Sequence, residues 1–163
     1  MTHASIPASS QSGVETNDQV TALTARVRGG ASWFYWIAAL SIVNSIVVHM
    51  NGEWGFALGM GVTQVFDAIA IAIGEASGGS AGTVATVVAI AFDLVAASVM
   101  ALFGFLASRE KAWAFVIGAV FYALDGVIFV IAGDLVGIGF HAFALFFVIS
   151  GFLALRQLRA LRG

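Results

Sequence analysis

From residue 32 almost to its end the chain is a succession of apolar runs, each near the roughly 20 residues that a helix needs to cross about 30 Å of hydrocarbon. The runs cover about 32–50, 54–74, 82–107, 112–133 and 136–156, joined by the links NGE, EASGGSAG, SREK and GDLVG. Gly beside Ser, Asn, Asp or a charge suits tight turns. Lipid offers no water to unpaired backbone groups, so only helices or closed barrels span it, and these runs are too long and uninterrupted for barrel strands of about 10 alternating residues. The expected fold is an all-α integral membrane protein, a bundle of about five transmembrane helices within residues 32–163, with neighbours antiparallel. Composition agrees: 60% of residues are hydrophobic and 10% charged, against about 45–50% and about 25% in soluble domains.

Residues 1–31 are rich in Ser, Thr, Asn, Gln and Gly and hold the only proline, Pro7. They are expected to form a polar, disordered tail. Within it Val20, Leu23 and Val27 recur at helical spacing, which allows a short surface helix over residues 18–28. The polar lead is too long for a cleaved signal peptide.

A net charge of −2 argues against nucleic acid as a partner and leaves the lipid bilayer. The absence of cysteine removes disulfides, thiolate metal sites and a Cys nucleophile. Five short spans barely enclose a pathway, which points to a homo-oligomer or to a partner in a larger membrane complex. Cations precede the first run (Arg26, Arg28), fill the third link (Arg109, Lys111) and end the chain (Arg156, Arg159, Arg162). With five crossings, an outside N-terminus and a cytoplasmic C-terminus put five cations inside against two, the arrangement expected in a plasma or inner membrane. Trp33 and Trp36 then mark the outer boundary, and Trp54 and Trp113 the inner one.

Three aspartates interrupt this pattern. Asp67, Asp93 and Asp125 lie well inside runs, where each costs about 2.5–3.5 kcal/mol, and no Lys or Arg shares a run with them. Either they are protonated, because burial and mutual repulsion penalise their charged forms, or a cation or water meets them. Helical spacing places them on inward stripes: Gly59, Thr63, Asp67, Ala70 and Gly74; Ala89, Asp93, Ala97, Met100 and Gly104; Gly118, Tyr122 and Asp125. Counting about 1.5 Å per residue from the outer boundary puts His141, Asp67, Asp125, Gln64, Asp93 and Asn44 in a column from about 7 to about 18 Å deep. Val48, Met100 and Gly118 close it below, with His49 and Glu53 at the inner rim. WGFALG with Asp67 and WAFVIG with Asp125 form an internal echo that would place the two carboxyls at matching depths.

The function expected is that of a transporter, channel or sensor with an outward-open polar vestibule, binding or conducting a proton, metal cation or cationic small molecule. Its ligand-binding residues are Asp67, Asp93, Asp125, Gln64, Asn44, Tyr122 and His141. His141, Asp67 and Asp125 are the candidate ligands if the cation is a metal. One alternative is an accessory or assembly subunit with structural aspartates. A third is an intramembrane metal- or carboxylate-dependent hydrolase, although no Gly-x-Gly-Asp signature is present and no catalytic residue is indicated. No cofactor is indicated: His49 and His141 would lie about 18 Å apart along the membrane normal, too far to share one haem.

Overall fold

The structure, a computed structural model, describes residues 8–50 and 59–163, with side chains in the first helix from Thr16 onward. Five helices make up the described chain: α1 (Ala8–His49), α2 (Gly61–Ser77), α3 (Gly79–Ser108), α4 (Ala112–Ala132) and α5 (Leu135–Arg162). The protein is an all-α integral membrane bundle. Four helices are long and apolar enough to cross a membrane, over Thr16–His49, Gly79–Ser108, Ala112–Ala132 and Leu135–Arg162. Glu53, Trp54 and the first residues of the expected second span lie outside the described residues.

The inward stripes are those the spacing gives. The buried faces are Gly61, Thr63, Asp67 and Ala70 on α2, a run from Ala89 through Asp93, Ala97 and Met100 to Gly104 on α3, and Gly118, Tyr122 and Asp125 on α4. Small residues let the backbones meet, as van der Waals association in lipid requires. Gly30 of α1 lies so close to α5 that a Cβ there would come 2.5 Å from the Gly151 Cα and 2.9 Å from the Phe147 carbonyl. Gly74 and Gly82 bring α2 and α3 together beside their turn.

From Ala8 onward the tail is a correction, residues 1–7 lying outside the described residues. Helix α1 begins at Ala8, and Leu23, Val27 and Ala31 belong to the same buried cluster as Leu155 and Leu158 of α5. The apolar spacing of Val20, Leu23 and Val27 continues the inner stripe of the first span, so burial against α5 offsets the polar composition that reads as tail.

The order of the helices is the larger correction. Asp93 meets Ser45, and Gly104 meets Ala31 and Phe34, so α3 runs antiparallel to α1. Phe66 stacks on Phe92, and Gly74 faces Gly82, so α2 runs antiparallel to α3. Helices α1 and α2 are therefore parallel. Gly59 and Met60 sit beside Ser41, two turns back from the end of α1, with the Met60 N–H donating to Ser41 Oγ at 2.8 Å. Helix α2 thus starts beside the interior of α1, and its 17 described residues fall short of the roughly 20 that a crossing needs. Helix α4 runs with α1, since Gly118 lies against Phe34; α5 runs back, since Gly126 lies against His141 and Gly151 against Gly30. The start of α1 and the end of α5 consequently lie at one end of the bundle, where the sequence reading put them on opposite faces.

That end collects all seven Lys and Arg: Arg26 and Arg28 just before Gly30, Arg109 and Lys111 in the α3–α4 turn, and Arg156, Arg159 and Arg162 beyond Gly151. Arg162 reaches Glu110 at 2.8 Å, tying the chain end to that turn. Trp33, Trp36 and Trp113 share this end, where the sequence reading divided them between two faces.

Candidate functional site

The polar side chains gather toward the opposite end, where the parallel pairing of α1 and α2 puts the last turns of α1 against the middle of α2. Ser45 of α1 stands between two carboxyls. Its hydroxyl bonds Asp67 Oδ2 at 2.9 Å and also Asp93 Oδ2, and both aspartates are 1% exposed. A hydroxyl has one hydrogen to give. When Asp67 receives it, the contact with Asp93 needs a hydrogen from the Asp93 carboxyl itself. The arrangement is complete when the two carboxyls hold one proton between them.

His49, one turn beyond Ser45, joins this group. Its Nδ1 bonds the Ser45 carbonyl at 2.9 Å and lies 3.7 Å from Asp67 Oδ1. A carbonyl only accepts, so Nδ1 carries a hydrogen and Nε2 is left buried without a partner among the described residues. The sequence reading placed His49 at the far rim because it took α1 and α2 as antiparallel; their parallel course brings it to the carboxyls. Asn44 Oδ1, Gln64 Nε2, Asp67 Oδ1 and Asp93 Oδ1 are likewise sealed from solvent and unpartnered among the described residues. Asn44, Gln64 and Asp67 border a cavity of about 250 Å³ that reaches Asp134 in the α4–α5 turn.

A second group lies deeper. Asp125 of α4 receives the Gly61 N–H on Oδ2 at 2.6 Å and the Val62 N–H on Oδ1 at 2.8 Å, so it caps α2 from another helix. The first turn of a helix has N–H groups without intrahelical partners, and a carboxylate there also meets the positive end of the helix dipole. His141 of α5 completes the set, its Nε2 3.0 Å from Asp125 Oδ2 and its Nδ1 2.9 Å from the Gly137 carbonyl. The Tyr122 ring stacks on the imidazole at a centroid distance of 4.2 Å, and its hydroxyl is buried without a partner among the described residues.

The expected residues therefore form two groups rather than one column. Asp67, Asp93, Asn44 and Gln64 belong to the first; Asp125, His141 and Tyr122 belong to the second. The echo between α2 and α4 does not produce matching depths, because Asp125 sits level with Gly61 while Asp67 lies six residues, about 9 Å, further along α2. His141, Asp67 and Asp125 do not converge on one metal, and among the described residues no three His, Cys, Asp or Glu side chains are grouped to hold one. Ser41, Ser45 and Gly61 carry the geometry yet have no sequence signal beyond ordinary helix residues. No protein-family model matches the chain, and no curated protein or solved structure matches it.

Proposed function

We propose that this protein is a membrane-embedded proton sensor whose receptor is the Asp67–Ser45–Asp93 group, set toward the outer face, with both termini and all the cations in the cytoplasm. The orientation rests on the excess of Lys and Arg found in cytoplasmic segments. The observation that carries the reading is the pair of carboxyls on one serine hydroxyl, with remaining oxygens that no solvent reaches. A proton needs no space to reach such atoms. A metal needs a set of ligands around it, and no such grouping is present among the described residues.

Sensing fits better than conduction. From Asp125 to the start of α4 there are 13 residues, about 20 Å of membrane. The interior there is filled by Phe34, Phe103, Phe115, Met100, Val148 and Leu155, which provide no proton relay. A proton bound near one face thus changes the charge of a buried site without a path onward through the subunit.

Infrared difference spectroscopy of the purified protein in lipid, taken as external pH is stepped, tests this. The carboxylic C=O band should titrate in the wild type, and Asp67→Asn and Asp93→Asn should each remove or shift it. A titrating band left untouched by both substitutions, or no such band at all, overturns the reading.

A second reading, assembly with further copies of the chain, has its own observation. Helices α2 and α3 continue for about ten residues, roughly 15 Å, past the level of the α4–α5 turn. That hairpin exposes Ile69, Ile71, Ile73, Val84 and Val87. If copies meet there, native mass spectrometry from lipid should show oligomers that V84S/V87S dissociates; monomers throughout would refute it.

A further inference from the structure

The second polar group has a hydrogen count of its own. His141 Nδ1 faces the Gly137 carbonyl and must donate to it. The bond between Nε2 and Asp125 Oδ2 then exists in two forms, imidazolium to carboxylate or neutral imidazole to carboxylic acid, and both hold one proton between the two residues. Take that proton away and two lone pairs face each other across 3.0 Å, leaving a buried carboxylate without its counter-charge. Add a second, and Asp125 becomes a neutral acid beside an imidazolium, so the Gly61 and Val62 N–H groups lose the carboxylate charge that strengthens their bonds. The ionisable side chain packed on the pair is Tyr122 of α4; Asp134 caps the turn of α5 that carries the Gly137 carbonyl, Asp67 of α2 lies about 9 Å further along that helix with Asp93 of α3 beside it, and α1 presents the uncharged Ser41.

We propose that Asp125 and His141 form a proton-operated clamp on the start of α2, closed with one shared proton and opened by either the loss of that proton or the gain of a second. What the clamp holds is the inner end of a helix that begins within the bundle. Apart from Asp125, the N–H groups at this end are anchored by Ser41, on Met60. Helix α2 also carries Asp67, so release of its first turn would move one half of the carboxyl pair that Ser45 joins.

Hydrogen–deuterium exchange of the full-length protein in lipid nanodiscs tests the clamp, read as protection of the Gly61 and Val62 amides relative to their intrinsic rates at each pH. In the wild type, protection should pass through a maximum and fall by about tenfold or more on either side as the proton count departs from one. Asp125→Asn offers one acceptor oxygen for two N–H groups and cannot titrate, so its profile should be low and flat. His141→Gln can donate an amide hydrogen to Asp125 at any pH, so it should keep the acid limb and lose the alkaline one. A flat wild-type profile overturns the proposal by itself, without any variant having to fold. A bell that persists in Asp125→Asn overturns it as well.

Discussion

At the scale of single residues, the site is built from hydroxyls and carboxyls whose partners come from other helices. Ser45 is the extreme case, because one Oγ serves two aspartates. Ser45→Ala leaves two buried carboxyls facing each other, and leaving buried polar groups unpaired costs about 1–3 kcal/mol. Thermal unfolding in detergent should therefore show a clear loss, and wild-type stability in Ser45→Ala would mean that the two contacts contribute nothing. Tyr122 gives the opposite expectation. Its ring packs on His141 while its hydroxyl has no partner among the described residues, so Tyr122→Phe keeps the stacking and removes an unpaired group. The variant should be as stable as the wild type or more stable by up to about 1 kcal/mol. A marked loss on the same unfolding curve would show that the hydroxyl has a partner that the geometry does not provide.

At the scale of elements, the faces were legible and the pairings were not. Periodicity identified the buried stripes on α3 and α4 down to Asp93, Met100, Gly118 and Tyr122, because a small or polar residue every third or fourth position in an apolar run has few other uses. Gly30 gave no such signal. It stands at the end of the stretch that reads as a polar tail, beside a second glycine, yet it is where α1 crosses α5. A methyl group there would meet the Gly151 and Phe147 backbone, which cannot turn aside as a side chain can. Gly30→Ala should accordingly force the helices apart at a cost of about 1–3 kcal/mol. Gly29, one residue away, has open space around the position of a Cβ, so Gly29→Ala should be nearly silent. Equal effects of the two alanines on the unfolding temperature would contradict the close crossing.

At the scale of the whole molecule, one parity decides the topology. Hydropathy counts apolar runs, and the run through residues 54–74 is long enough to read as a crossing of its own. The seating of Met60 beside Ser41 and of Asp67 beside Ser45 shows that α2 sets out again in the direction of α1, and chain-local patterns hold nothing about contacts 19 and 22 residues apart. That single change moves Arg26 and Arg28 from the minority face to the majority one, so the cation asymmetry goes from five against two to seven against none. The two arginines that conflicted with the five-span topology become its strongest correction. Because the chain has no cysteine, single cysteines report sidedness cleanly. Placed at Gly163, Glu110 and Asn17 in sealed, oriented vesicles, they should all react with an impermeant maleimide from the cytoplasmic side alone. Placed at Gly133 and Gly78, they should react from the other side alone. Labelling of Asn17→Cys and Gly163→Cys from opposite sides would restore five crossings and undo the parallel course of α1 and α2, and with it the meeting of His49, Ser45 and Asp67.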